Sequence, residues 1–404
     1  MPHYTFFIVF LTIRADIYEM VNDQDSALAD LQKAIELDPS NSLAYGSQGQ
    51  ILQRQAEKKV VSLASAPDVN ALKLEINALV EKSIECFQIQ ASLSNNAVPQ
   101  LIRANIGLGN SYIVVNKYQE AVDALNEALK LDANNVVTLA TRATAFSAMG
   151  QYQSAIQDYE RALSQKSSLD KDMLVKLHRN RAIDFASLGD IERAIESASV
   201  ALELDSADPV SYQVRAGLYE QKGEFDLALR DSTEFVQLSD SHIAYLQRGH
   251  LYSKCNKVSQ GYQDWKRALE LNEQYCLEMM PDLYSKFALF LSAAMVDNPS
   301  EMKETLEFCN RAIEKDPKSA ATFAARAAVY TKYLNFEKVV EDYTNALQLQ
   351  ASPDYYVGRA AAYAALTQYA NALQDVERAL AIQPDHAHAN QLKTTLPLLI
   401  SKTE

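Results

Sequence analysis

Small and aromatic residues recur among polar ones at helical spacing along most of this chain, and the pattern itself repeats. Aligning 102–135 with 136–169 sets Gly109 on Ala143, Tyr112 on Phe146, Tyr118 on Tyr152, Ala121 on Ala155 and Ala128 on Ala162, each pair 34 residues apart. In the first half of each repeat a small residue precedes an aromatic by three positions, which places both on one helix face. In the second half two small residues stand seven apart, as in Ala194 and Ala201 or Ala372 and Ala379. Two helical turns bring such a pair onto one stripe, where the missing bulk lets a neighbouring helix approach closely. The aromatic of the first helix then fills the room beside it. The pattern predicts one antiparallel helix pair per repeat, from Ala15, Tyr18, Ala27 and Ala34 to Ala360, Tyr363, Ala372 and Ala379. Turn residues agree. Gly150, Gly189 and Gly223 are expected to end first helices, and Asp38-Pro39, Asp208-Pro209, Asp316-Pro317 and Gln383-Pro384 to end second helices.

A small-x-x-aromatic pair, an A-x6-A pair and a closing proline at this spacing resemble the tetratricopeptide repeat (TPR) family. The resemblance spans residues 8–386 in about ten repeats. It implies an all-α fold: a right-handed superhelical α-solenoid of antiparallel helix pairs, with an inner groove lined mainly by first helices. The solenoid is expected over 1–386, with an insertion near 57–78 and an irregular repeat at 276–319. Residues 387–404 are expected to form a C-terminal capping helix and tail, with Pro397 kinking or ending the helix. At the other end, no Lys or Arg precedes the apolar run Phe6 to Leu11 and no small-residue cleavage site follows it. That run is expected to be a terminal packing helix. Lacking a polar cap, it is also a candidate for contact with a partner or for self-association.

Charge and cysteine usage narrow the function. Thirty-eight basic residues against 52 acidic ones leave a net charge of −14, the wrong sign for neutralising phosphates. No apolar run approaches the roughly 20 residues that a bilayer requires, so membrane insertion is not expected. Cys86, Cys255, Cys276 and Cys309 are dispersed, without a C-x-x-C pair, which suits a reducing, cytoplasmic setting.

Several residues invite a chemical reading. Arg14, Arg142, Arg181, Arg215, Arg248, Arg326 and Arg359 each stand just before the small residue of a first helix. Sixteen positions later come Asp30, Asp158, Ser197, Asp231, Asp264, Asp342 and Asp375. Such faithful co-occurrence predicts structural ion pairs between helices, not a ladder for acidic ligands, each partly exposed and contributing roughly 0–1 kcal/mol. The phosphate-binding, zinc-protease and nucleophile-elbow motifs are all absent. The chain is therefore expected to be non-enzymatic, with no catalytic, cofactor or metal residues. His386 and His388 are expected to be isolated surface histidines.

The resemblance also raises a co-chaperone reading, in which a carboxylate clamp of Lys, Asn, Asn, Lys and Arg grips a chaperone C-terminus. Asn110 matches the first Asn and Lys176 the later Lys. However, Ile106 stands for Lys, Thr141 for the second Asn and Asn180 for Arg, so the clamp is incomplete. Positions that the family directs inward make Arg103, Ile106, Asn110, Val137, Thr141, Lys176, Arg179, Asn180, Gln213, Gln247, His250 and Ala325 the groove candidates. Polar in its middle and small-apolar toward one end, such a groove suits an extended or helical peptide. The alternative for the alanines is packing against the protein itself. The expected function is a scaffold or adaptor for protein or peptide segments, chaperones among them. A heat-shock co-chaperone or protein-targeting receptor is the alternative.

Overall fold

The computed structural model describes residues 2–65, 68–94, 97–165, 169–279, 283 and 299–400. Among these residues it holds twenty α-helices and no strand, and it divides into two compact units. The first unit, Met1–Asp240, contains α1 (Pro2–Met20), α2 (Gln24–Leu37), α3 (Ser42–Val61), α4 (Val69–Leu93), α5 (Val98–Val114) and α6 (Tyr118–Leu131). It continues with α7 (Val136–Ala148), α8 (Tyr152–Leu163), α9 (Lys171–Ser187), α10 (Ile191–Leu204), α11 (Pro209–Lys222) and α12 (Phe225–Leu238). The second unit, Ser241–Glu404, contains α13 (His242–Lys254), α14 (Val258–Met279), α15 (Pro299–Lys315) and α16 (Ala320–Lys332). Its last helices are α17 (Phe336–Leu349), α18 (Pro353–Ala365), α19 (Tyr369–Ile382) and α20 (Ala387–Ile400). None of the described helices is long and apolar enough to cross a membrane.

Local chemistry sets the boundaries. Asp23, Asn41, Asp68, Asn135, Asp170, Asp190, Asp208 and Asn335 each accept a hydrogen bond from a backbone N–H in the first turn that follows. Most hairpins turn through a single left-handed residue: Asn22, Asn116, Gly150, Gly189, Gly223, Asn256, Leu334 or Thr367. Glycine and asparagine tolerate that conformation, whereas Leu334 and Thr367 hold it under steric strain. One proline expectation needs correction. Pro209 opens α11 behind its Asp208 cap and does not close α10, because the first helical position needs no N–H. Of the two alternatives for Pro397, ending the helix is excluded: α20 runs through it to Ile400. In α14 the backbone breaks at Asn272, whose side chain caps the continuation by accepting from Tyr275 N at 3.0 Å.

Each hairpin buries the residues that the repeat pattern singles out. Tyr112 packs with Ala121, Phe146 with Ala143 and Ala155, Phe185 with Ala182 and Ala194, and Tyr363 with Ala360 and Ala372. At Gly109 a Cβ would stand 2.6 Å from Leu125 Cγ, so α5 lies as close to α6 as a missing side chain permits. The N-terminal apolar run folds into α1, which packs on α2 through Leu11, Ala15, Ala27, Leu31 and Ala34. Around the insertion, α3 and α4 reach 20 and 25 residues. Ala66 and Pro67 within the insertion, and Asp297 and Asn298 within the irregular repeat, lie outside the described residues.

The arginine pairs form as expected. In all six Asp-bearing repeats, Nε and Nη2 donate to the two carboxylate oxygens at 2.5–2.9 Å. Arg181, facing Ser197, has only a 3.3 Å contact to its hydroxyl. The exposure expected of these pairs is corrected: every one of the six aspartates is buried. The arginines also reach backwards. Nη1 of Arg142, Arg215 and Arg326 donates to Asn126, Ser199 and Asn310, each sixteen residues earlier on the preceding second helix. Each of these arginines therefore ties its own hairpin to the one before it.

Candidate protein-interaction surface

In the unit Met1–Asp240 the first helices pack on one another in series, α3 on α5, α5 on α7, α7 on α9 and α9 on α11. Close approach is built in. Gly107 on α5 faces the buried ring of Phe87, and a Cβ there would stand 2.4 Å from the ring carbons. Two adjoining cavities lie along these helices. The larger, of about 590 Å³, is walled by Gln53 and Glu57 of α3, Arg103 and Ile106 of α5, and Asn135 and Val137 at the start of α7. The smaller, of about 230 Å³, lies between α5, α7 and α9 and is walled by Val114, Thr141, Lys176 and Asn180. Glu57 and Asn110 line both, which makes them one trough.

The trough is mixed in character. Ile102, Ile106, Val137 and Val114 supply apolar wall. Gln53 donates to Glu57 at 2.7 Å, and Arg54 is held by Glu19. Arg103 and Lys176 are exposed, and neither makes an ion pair among the described residues. Beneath the smaller cavity Tyr159 is buried, and its phenol sits among Thr144, Ser147 and Asn180, with burial pushing its pKa up. Deeper still, Ser147 Oγ donates to Asp184 Oδ2 at 2.6 Å, and burial pushes the Asp184 carboxyl up to about 6. Arg181, one helical turn before it, has its pKa lowered by burial.

Seven of the expected groove residues meet in this trough: Arg103, Ile106, Asn110, Val137, Thr141, Lys176 and Asn180. Arg179 does not join them, because it donates to Asp208, the cap of α11, at 3.1 Å. Gln213 lies half-buried on α11 outside both cavities, and Gln247 and His250 are half-buried on α13 of the second unit. Ala325 needs correction: it is fully buried against Cys309 and Val329, so it offers no groove surface. His386 is corrected too. Its Nδ1 accepts from Ala389 N, leaving the proton on Nε2, which donates to Asp354 at 2.9 Å. The α3 wall of Gln53, Arg54 and Glu57 escaped the sequence reading, because inward positions are counted only from α5 onward, past the repeat that carries the insertion.

The four cysteines are free thiols; burial pushes Cys86 and Cys276 up to about 11 and Cys309 up to about 12. Among the described residues no group of three His, Cys, Asp or Glu side chains could hold a metal ion.

Comparison with known proteins agrees with the repeat register. Tetratricopeptide repeat models match residues 10–41, 102–135 and 353–386, and residues 140–209. The DnaJ homolog subfamily C member 7 homolog of Schizosaccharomyces pombe is 21% identical over 355 residues, covering 80% of this chain and 72% of that protein. Human tetratricopeptide repeat protein 16 is 25% identical over 271 residues, covering 65% of this chain and 31% of that protein. A tetratricopeptide repeat protein from Parabacteroides merdae, solved by crystallography, has a TM-score of 0.40 and 19% identity, covering 65% of this chain and 98% of that one. Helix pairs at the repeat spacing, small-on-aromatic cores and the family-model matches agree: the chain is built from tetratricopeptide repeats.

Proposed function

We propose that the chain is a protein-interaction scaffold without chemistry of its own, and that the trough on α3, α5, α7 and α9 grips an extended or helical segment of a partner. The observation that carries this reading is the pairing of apolar wall with exposed charged groups that make no ion pair among the described residues. Arg103 and Lys176 stand beside Ile102, Ile106, Val137 and Val114. A segment offering carboxylates and one or two apolar side chains would satisfy both, since charge-assisted bonds set register while apolar anchors supply affinity. A cytoplasmic setting fits the four free thiols.

The test is direct. Partners are recovered by affinity purification and mass spectrometry, and the tightest is titrated calorimetrically against the chain and against Arg103→Glu/Lys176→Glu. The double variant is expected to bind at least about tenfold more weakly at unchanged thermal stability. Undiminished binding would remove the trough from the account.

The name of the fission-yeast relative favours trying chaperones first. A co-chaperone reading requires grip on a chaperone C-terminal peptide ending in EEVD, for which only Asn110 and Lys176 stand at clamp positions. Binding of that peptide, lost on Lys176→Glu, would establish the co-chaperone reading in place of the general scaffold.

A further inference from the structure

Helix α1 is apolar on two opposite faces. One face carries Leu11 and Ala15 and is buried against α2. The other carries Phe6, Val9, Phe10, Ile13, Ile17 and Met20, all solvent-exposed, with Phe6 76% and Met20 86% accessible. At 100° per residue these six fall within an arc of about 120°, opposite the buried face. No charged residue lies inside that arc. Arg14, at its edge, is already held by Asp30, and Asp16 marks the other rim.

The spacing is that of a helix–helix seam. Phe6, Phe10, Ile13, Ile17 and Met20 follow one another at intervals of four, three, four and three, the alternation by which one helix meets another along its length. A helix apolar all round is a buried helix, so water is a poor solvent for this face. The exposed fractions of the six side chains correspond to about 700 Å² per copy, close to the roughly 800 Å² per partner of a standard stable interface.

We propose that α1 is a dimerisation helix, and that the stripe from Phe6 to Met20 pairs with the same stripe of a second copy about a two-fold axis near Ile13. The stripe suits itself. It is aromatic at one end, Phe6 and Phe10, and flexible or aliphatic at the other, Ile17 and Met20. Antiparallel pairing sets the aromatic end of each copy against the aliphatic end of the other, with Met20 on Phe6 and Ile13 on Ile13. Sulfur–aromatic contact favours the outer layers, where Met20 meets Phe6. The contact is isologous, so it closes at two copies and does not propagate. The net charge of −14 does not oppose it locally, because the stripe itself is uncharged.

Sedimentation equilibrium over a wide concentration range tests this on the full chain. The expected mass is twice 45.0 kDa, falling to 45.0 kDa for Ile13→Glu/Ile17→Glu at unchanged helical circular dichroism. A second measurement keeps the test sharp should the charged variant lose helicity. In a Cys255→Ser background, Ile13→Cys is expected to form a covalent dimer on mild oxidation, whereas Lys33→Cys on the exposed face of α2 is not. A wild-type chain that stays at single mass at every concentration overturns the proposal. So does a glutamate variant that keeps the double mass, or an Ile13→Cys that cross-links no better than Lys33→Cys.

Discussion

Asp184 occupies a position that is apolar in every other arginine-bearing repeat, where Ile17, Ala145, Leu218, Leu251, Val329 and Ala362 stand. It is buried, it accepts from Ser147, and its carboxyl titrates near 6 because burial penalises the charged form. The same repeat is the one whose Arg181 faces Ser197 in place of aspartate. A carboxyl whose folded pKa is raised contributes stability below its unfolded value near 4, and that stability is lost as pH rises through about 6. The chain should therefore lose roughly 2 kcal/mol between pH 4 and pH 7 from this group alone, set against Asp190 and Asp205, whose carboxyls are lowered by Arg193 and Lys171. Asp184→Asn keeps an acceptor for Ser147 and removes the charge. Denaturant unfolding of the Asn variant should show higher stability at pH 7 and little difference at pH 4; equal stability of the two proteins at pH 7 would show that the carboxylate is better solvated than its burial implies.

At the scale of the element, the arginine pairs join neighbouring helices, and their energetics are lopsided. In the Arg215–Asp231 pair the bond to Asp231 raises the arginine pKa, and the carboxylate is the more buried partner. Arg215→Ala strands a buried charge and should cost about 3–5 kcal/mol, whereas Asp231→Ala leaves a guanidinium that reaches water and Ser199 and should cost less. The double variant should recover about 1–3 kcal/mol relative to the sum. Arg215→Lys should not restore wild-type stability, because one ammonium cannot span two carboxylate oxygens. Additive single effects in a double-mutant cycle would refute the coupling. These pairs were legible in the sequence because both partners recur at a fixed offset within a fixed repeat. The helix pairing was legible for the same reason, since small and aromatic residues are placed by contact with a neighbour that is itself a repeat. What periodicity could not supply was direction. Ala325 has the composition of a groove residue and the placement of a core one, because an alanine can face either side. Arg179 looked available until α11 brought Asp208 beside it, and the α3 wall was missed because its repeat carries the insertion and inward positions are counted only from α5 onward. About a third of the trough's lining was thus readable in advance, all of it from repeats that keep their spacing.

At the scale of the whole chain, nearly all packing joins helices adjacent in sequence or one hairpin apart. Stability in such an array is a sum of local terms and nearest-neighbour interfaces, so a lesion should weaken its own neighbourhood and fade with distance along the chain. The crossing of α13 and α14 offers a clean place to test this. Gly249 faces Trp265, where a Cβ would stand 2.5 Å from the indole, and Gly261 lies 2.9 Å in the same sense from the Gly249 carbonyl. Trp265 in turn anchors a cluster with Leu246, Tyr262 and Ala268. Gly249→Leu cannot be absorbed by rotating a flexible side chain, because the tryptophan is itself enclosed. Hydrogen exchange should therefore show amide protection falling across α13 and the first half of α14, while α5 to α9, which carry the trough, keep theirs. Partner binding in the trough should survive along with it. Equal loss of protection in α5 and in α13 would mean that the chain unfolds as one cooperative body, and the trough could then no longer be treated as a site whose integrity depends only on the hairpins around it.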